Sequence, residues 1–180
     1  MNGPTTDPAP AKKKVLFLCT GNAARSQMAE AIARSEHGDT IDPVSAGSRP
    51  TGWVHPLAIK AMEDLGVSMD GARSKSAEEF LETPFDVVVT VCDSAAQDCP
   101  VWPNARRLLH WSIEDPSYGP DDPSTRYGRF LETRDDLRKR IAELAASLDS
   151  SPRKRAGATS RRRKRLRGRG GNGRRSRDSS

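Results

Sequence analysis

The residues best suited to chemistry lie in one short stretch near the N-terminus, where Cys19 is followed six positions later by Arg25 and then by Ser26. A cysteine becomes a nucleophile in positive surroundings, because these favour the thiolate over the thiol. Arg25 supplies a positive charge, and its planar guanidinium fits two oxygens of a tetrahedral anion. This spacing predicts a thiol nucleophile that faces a bound oxyanion. The alternative, a buried structural cysteine with an unrelated arginine, leaves the small residues between them unexplained.

The sequence around this pair indicates how the anion is held. The apolar run Val15–Leu18 predicts a buried strand that ends at Cys19, and a helical pattern begins at about Ala24. The first N–H groups of a helix have no internal partner and lie at the positive end of its dipole, so they attract oxyanions. Gly21 can adopt a positive φ at little cost and, with the other small residues, keeps a nest of N–H donors open. We call the predicted anion-binding segment the cradle; its residues are Thr20, Gly21, Asn22, Ala23, Ala24, Arg25 and Ser26.

Strands and helices alternate along the rest of the chain. The patterns predict strands over residues 14–19, 41–45, 86–91 and 107–111, and helices over residues 24–36, 56–65, 77–81 and 127–148. The proline-rich segment from Asp115 to Tyr127 is predicted to be a loop. Such alternation predicts an α/β three-layer sandwich with a four-stranded parallel sheet, and we infer the strand order 2-1-3-4.

This strand order places two cysteines at one edge of the sheet. Cys19 and Cys92 follow the first and third strands, which lie side by side at ~4.8 Å, and ligands bind beyond the carboxyl ends of such strands. The third cysteine, Cys99, lies seven residues after Cys92; a helix over that distance rises ~10.5 Å, whereas a disulfide needs Cα atoms ~5.5–6 Å apart. A bond between them would require the segment to unwind, which indicates a redox switch. Two unrelated buried thiols are the alternative.

The composition divides the chain into an acidic part and a basic tail. Residues 151–180 hold 13 Lys and Arg residues against one acid, whereas residues 1–150 hold 17 basic and 23 acidic residues. We predict a disordered N-terminus over residues 1–13, one domain over residues 14–148 and a disordered basic tail over residues 149–180. No signal peptide, membrane span or zinc-ligand spacing is visible, so we predict a cytoplasmic protein without a metal site.

The tail carries a dense cationic run at Arg161–Arg165. Such a run predicts non-specific binding to nucleic acid or another polyanion through counterion release. A solvated tail with no partner is the alternative. The tail has no aromatic residue that could stack on bases, which argues against sequence-specific recognition of RNA.

The Cys-x5-Arg-Ser motif after an apolar strand resembles the signature of low-molecular-weight tyrosine phosphatases and of the arsenate reductases that share their fold. The reductases coupled to thioredoxin also carry a Cys-x6-Cys pair after the third strand, matched here by Cys92 and Cys99. The resemblance extends to S-A-G at 45–47, P-F-D-V-V-V-T-V-C-D at 84–93 and H-W-S-I-E-D-P at 110–116, and it covers about residues 14–148.

The resemblance to the reductases implies a reaction sequence. Arsenate binds in the cradle against Arg25, the Cys19 thiolate attacks arsenic, and Asp115 protonates the departing oxygen. Cys92 then attacks Cys19 and releases arsenite, after which Cys99 attacks Cys92, and thioredoxin reduces the Cys92–Cys99 disulfide. For Asp115, the alternatives are a simple Asp-Pro turn or Glu114 as the acid.

Smaller roles also come from this resemblance. We expect Asn22 to hold the turn in shape and Ser26 to donate a hydrogen bond to the Cys19 thiolate. Some of these reductases bind potassium, and Asn22, Glu30 and Ser45 match three of its ligands. Residues 73–76 offer no counterpart to the remaining Thr and Asp ligands, so we predict no metal site.

Two other functions remain open from the sequence. A phosphatase of the same fold would need only Cys19, but the paired tyrosines that often follow Asp-Pro in that family are reduced here to Tyr118. The second open function is that of a polyanion-binding protein, in which the domain serves as a docking platform.

Overall fold

The computed structural model describes residues 11–92, 102, 104–120 and 122–149. Its centre is a parallel sheet of four strands in the order β2-β1-β3-β4, which confirms the predicted α/β class and strand order. The strands are β1 (Lys13–Cys19), β2 (Ile41–Gly47), β3 (Val87–Thr90) and β4 (Leu108–His110). The helices are α1 (Arg25–His37), α2 (Pro56–Glu63) and α3 (Pro123–Asp149), and a 3₁₀ turn spans Ala77–Phe80.

Strand β1 sends alternate side chains to the two faces of the sheet, as a strand buried on both sides must. Val15 and Phe17 join the larger core, which α1 and α3 cover with residues such as Met28, Ile32, Phe130 and Leu137. Leu16 and Leu18 join a smaller core with Phe85 and Trp102 on the other face. The strand that ends at Cys19 is therefore held from both sides.

The 3₁₀ turn begins where its sequence signal predicts. Ser76 accepts a hydrogen bond from the backbone of Glu78, and the side chain of Glu79 accepts one from the backbone of Ser76, which completes the capping box.

The last helix begins at Pro123, so the predicted loop up to Tyr127 is wrong for its final residues. The carboxylate of Asp122 accepts hydrogen bonds from the Ser124 hydroxyl at 2.6 Å and from the Thr125 backbone at 2.9 Å, and these bonds lower its pKa to about 2. A proline in the first turn is compatible with a helix because its missing N–H has no partner there. The high proline content concealed an ordinary helix start.

Several predictions fall on residues that the structure does not describe. The proposed disordered ends lie mostly outside the described residues, although β1 already begins at Lys13. Cys99 also lies outside them. Within the described ranges, no helix is long and apolar enough to cross a membrane.

Candidate active site

The cradle lies between β1 and α1, at the carboxyl edge of the sheet. Helix α1 begins at Arg25; no side chain caps its N-terminus, and its first turn carries no acidic residue. The positive end of the helix dipole therefore faces the cradle without a side-chain partner or a neutralising carboxylate in that turn.

The segment of residues 48–55 binds the backbone carbonyl groups of the cradle and of Cys19. Backbone N–H groups of this segment donate hydrogen bonds of 2.8–3.1 Å to four carbonyl oxygens, those of Cys19, Thr20, Gly21 and Ala23. In a trans peptide the C=O and the next N–H point in opposite directions. The N–H groups that follow these carbonyls therefore point away from the 48–55 segment, and the N–H of Asn22 lies 3.2 Å from the Cys19 sulfur.

Two backbone features shape this turn. Gly47 pairs with Cys19 across β1 and β2, and a Cβ added there would lie 2.5 Å from the carbonyl oxygen of Thr20 and 2.9 Å from the nitrogen of Asn22. The positive φ in the turn, +46°, belongs to Asn22 and not to Gly21, where the sequence had suggested that a glycine would take it. Asparagine tolerates this conformation better than most residues.

The Cys19 thiol is almost fully buried and lies 2.9 Å from the Ser26 hydroxyl. The side-chain amide of Asn22 donates to the same hydroxyl oxygen at 2.8 Å. The Ser26 oxygen can accept from Asn22 while its own proton is donated to the sulfur, and this is the only direction open when Cys19 is a thiolate. Ser26 and Asn22 thus occupy the places that their expected roles require.

Arg25 and Asp115 form a close ion pair over the cradle. One guanidinium nitrogen of Arg25 donates to Asp115 Oδ2 at 2.7 Å, and another donates to the carbonyl of Ile113 at 2.9 Å. Arg25 is 5% exposed and the Asp115 side chain 22% exposed. Asp115 also accepts from the N–H of Ser117, so it forms a turn and faces the site, whereas Glu114 is exposed.

Cys92 lies at the edge of the sheet that carries Cys19. The N–H of Val91 donates to the carbonyl of Leu18 at 2.8 Å, and Cys92 is the next residue, 3% exposed. The sequence argument that the first and third strands are neighbours therefore holds.

The structure adds two residues that the sequence analysis did not single out. Gln27 donates from Nε2 to both oxygens of Asn22, and the backbone N–H of Lys75 donates to the side-chain oxygen of Asn22 at 2.7 Å. Gln27 could have been noticed because it follows the motif directly. Lys75 lies more than 50 residues away, and no local pattern marks it.

Glu30 is the buried acid of this region. Its carboxylate accepts hydrogen bonds from Ser45, Arg34 and Lys75, and the ammonium of Lys75 lies 3.0 Å from Oε2. Burial raises the pKa of Glu30, but the hydrogen bonds and the positive charges outweigh it and leave the pKa below its ordinary value.

These residues do not fit a potassium ion. The ammonium of Lys75 and the hydroxyl of Ser45 already donate to one oxygen of Glu30, and Asn22 turns its NH₂ group, not its oxygen, towards Ser45. Among the described residues, no group of three or more His, Cys, Asp or Glu side chains is arranged to hold a metal.

Comparison with known proteins gives matches over most of the chain. An arsenate reductase of Halalkalibacterium halodurans is 38% identical over 134 residues, which are 74% of this chain and 96% of that protein. An arsenate reductase solved in the phosphate-binding state is 30% identical with a TM-score of 0.63, covering 76% of this chain and 98% of the other. A thioredoxin-dependent arsenate reductase of Corynebacterium glutamicum is 29% identical with a TM-score of 0.61, covering 78% of this chain and 64% of the other.

The family pattern described as low molecular weight phosphotyrosine protein phosphatase matches residues 14–154, which include the cradle, the ion pair above it and Cys92. The matched residues contain the Cys-x5-Arg-Ser motif from Cys19 to Ser26. The chain therefore belongs to the low-molecular-weight phosphotyrosine protein phosphatase family.

Proposed function

We propose that this protein reduces arsenate to arsenite, with Cys19 as the nucleophile and thioredoxin as the final reductant. The observation that carries the proposal is the position of the Cys19 sulfur, which lies at the base of the cradle within hydrogen-bond distance of the Asn22 N–H and the Ser26 hydroxyl. Those two groups hold the sulfur at the base of the cradle, and the arginine and the helix dipole favour an oxyanion above it. The curated relatives named arsenate reductase support this choice of oxyanion.

The first step joins sulfur to arsenic. The Cys19 thiolate attacks As(V), an S–As bond forms, and one arsenate oxygen leaves as water after it receives a proton. Asp115 is the proposed acid because its carboxylate lies over the cradle and Glu114 does not. The incoming anion competes with Asp115 for Arg25, so the ion pair opens as the substrate binds.

The second step transfers two electrons to arsenic. The Cys92 thiolate attacks the Cys19 sulfur, a disulfide forms, and the electron pair of the S–As bond stays on arsenic, which leaves as arsenite, As(III). Cys92 is suited to this step because it follows the strand next to Cys19.

The last steps regenerate the enzyme. Cys99 attacks Cys92, the Cys19 thiolate is released, and two thiols of thioredoxin reduce the Cys92–Cys99 disulfide while they are oxidised themselves. This cycle needs cysteines that are kept reduced between turnovers, which suits the cytoplasm.

The test is arsenate-dependent oxidation of NADPH in the presence of thioredoxin and thioredoxin reductase. We expect steady turnover for the wild type and none for Cys19→Ser. Cys92→Ser and Cys99→Ser should each stop multiple turnover, and Cys99→Ser should still release one arsenite per enzyme. Full turnover by the variant that lacks both Cys92 and Cys99 would contradict the proposed cascade.

Hydrolysis of phosphomonoesters is the second candidate, because the family pattern that matches residues 14–154 is that of a phosphatase. In that reaction Cys19 would form a phospho-enzyme and water would release phosphate, so only one thiol is needed. Fast hydrolysis of p-nitrophenyl phosphate that survives loss of both Cys92 and Cys99, without arsenate reduction, would favour this function.

The basic tail supports a separate proposal, non-specific binding of a polyanion. Its 13 basic residues against one acid give a net charge of +12 over residues 151–180. Such binding weakens steeply with salt because it depends on the release of counterions.

A further inference from the structure

We propose that the ammonium group of Lys75 acts as a built-in cation that positions the Cys19 nucleophile through Glu30, Ser45 and Asn22. Lys75 is a positioning residue in this proposal, since its ammonium contacts Glu30 and acts on the sulfur only through other residues. The inference rests on the proposed function only in taking Cys19 as the nucleophile.

The contact between Lys75 and Glu30 is buried. The ammonium lies 3.0 Å from Glu30 Oε2, with the two side chains 11% and 9% exposed. Arg34 also pairs with Glu30, but through the other oxygen, and its side chain is 60% exposed. Within the part of the chain that the structure describes, Lys75 is thus the buried charge that compensates Oε2. Removal of one member of a buried ion pair leaves an uncompensated charge.

Lys75 helps to fix both sides of the Asn22 side chain, together with Gln27, whose Nε2 also donates to Asn22 Oδ1 at 2.8 Å. Its backbone N–H donates to Asn22 Oδ1 at 2.7 Å. Its ammonium and the hydroxyl of Ser45 both donate to Glu30 Oε2, which leaves the Ser45 oxygen to accept from Asn22 Nδ2 at 2.9 Å. The amide of Asn22 is therefore set in one orientation, with its oxygen towards Lys75 and its NH₂ towards the serines.

That orientation determines whether the Cys19 sulfur receives a hydrogen bond from Ser26. The same NH₂ group donates to Ser26 at 2.8 Å, and the Ser26 hydroxyl proton is then available to donate to the Cys19 thiolate, which can only accept. Asn22 also holds a backbone φ of +46°, a conformation that persists where the surroundings enforce it. A rotated Asn22 side chain would present an acceptor to Ser26 and would turn the hydroxyl proton away from the sulfur.

The charge on Lys75 can be tested separately from its packing. Lys75→Ala removes the ammonium and leaves a space beside Glu30 and Ser45 that a monovalent cation can enter. Lys75→Met fills the same space with an apolar chain of similar length and excludes a cation. Lys75→Arg keeps a positive charge. Lys60→Ala is the control, since Lys60 is a residue of α2 whose ammonium lies over the ring of Tyr127.

The readout is the rate at which iodoacetamide alkylates Cys19, followed by peptide mass spectrometry in choline chloride and in potassium chloride. We expect the wild type and Lys60→Ala to react equally fast in both salts. Lys75→Ala should react about tenfold more slowly in choline, the effect of one lost hydrogen bond, and potassium should restore most of that loss. Lys75→Met should be alkylated slowly in both salts, and Lys75→Arg should be alkylated faster than Lys75→Met.

Alkylation does not depend on arsenate, so it tests the role of Lys75 even if the wild type proves not to reduce arsenate. Wild-type rates in Lys75→Met, or equal stimulation of the wild type and Lys75→Ala by potassium, would overturn the proposal. If Lys75→Ala does not fold, the comparison of Lys75→Arg with Lys75→Met decides, and a methionine variant that reacts as fast as the arginine variant overturns it.

Discussion

Asp115 serves two purposes in this site, and they compete. Its Oδ1 accepts from the backbone of Ser117 and shapes the turn, while its Oδ2 pairs with Arg25. The pair places the carboxylate over the cradle but also keeps the guanidinium occupied. In the proposed mechanism, an oxyanion must exchange with Asp115 for that guanidinium before the carboxyl carries a proton to the leaving oxygen.

Asp115→Asn separates these effects. We expect kcat for arsenate reduction to fall by about 10²-fold, the usual contribution of a general acid. KM for arsenate should not rise, because the amide competes less strongly than the carboxylate for Arg25. Steady-state kinetics with the thioredoxin system would measure both, with the exposed neighbour variant Glu114→Gln as control. An unchanged kcat in Asp115→Asn would remove this residue from the chemistry.

At the level of elements, the end of β2 supports the cradle. Gly47 lies against the backbone of Thr20 and Asn22 more closely than any side chain permits. The segment that follows it donates hydrogen bonds to the carbonyls of the cradle, so the shape of the anion site depends on an element that contributes no catalytic side chain.

Gly47→Ala should therefore damage the site more than the fold. The added methyl must displace backbone atoms, at a cost of about 1–3 kcal/mol, and the displaced atoms belong to the cradle. We expect a folded protein with strongly reduced arsenate reduction and weakened phosphate binding, measured by kinetics and by calorimetry. Gly66→Ala is a control away from the site, at a position with a positive φ and no close neighbour. Normal phosphate binding by Gly47→Ala would contradict this account.

Helix α2 depends on a titratable cap. The Nδ1 of His55 accepts from the backbone of Leu57 at 3.1 Å, and its ring packs on Phe130. Burial lowers the pKa of His55, the carboxylate of Asp115 raises it, and Arg126 lowers it, so that the net pKa lies below 6.5. The neutral ring is thus the form that the folded state prefers, and a protonated Nδ1 can no longer accept.

This cap predicts how stability depends on pH. The unfolded chain binds a proton at His55 near pH 6.5 while the folded chain does not, so this stabilisation is present above that pH and is lost as the pH falls below it. We expect the melting temperature to decrease between neutral and mildly acidic pH. His55→Asn keeps a capping side chain that does not titrate in this range and should flatten the decrease, whereas the control His110→Asn should not. An equal slope in all three proteins would argue against the cap.

The whole molecule combines two opposite charges. Residues 1–150 carry a net charge of −6 and residues 151–180 carry +12. Every described residue of the site lies within the acidic part.

Deletion of residues 151–180 should leave arsenate reduction within about twofold of the wild type, because the contacts that the structure describes at the site join residues of the acidic part of the chain. An effect of that size is under 1 kcal/mol. The same deletion should abolish salt-sensitive retention on RNA, measured by filter binding at two salt concentrations. Retention that survives the deletion would place the polyanion site on the domain and contradict the proposal for the tail.

Local patterns were reliable where one physical effect dominated. The apolar run into Cys19, the capping box at Ser76 and the alternation of strands and helices all appear in the structure. The start of α3 was mispredicted because prolines break helices at most positions but suit the first turn, where the carboxylate of Asp122 accepts from the Thr125 backbone.

The sequence by itself determined the α/β class and a cysteine and an arginine placed across one turn, because strand periodicity, helix termini and motif spacing are properties of neighbouring residues. The strand order was inferred from the rules that govern connections between alternating strands and helices. Only the tertiary structure decided that Asn22 takes the positive φ, that Arg25 pairs with Asp115, and that Lys75 reaches Glu30 from 45 residues away. These contacts join segments that are distant along the chain. Their partners are chosen by how the sheet and helices pack, and no local pattern records that choice.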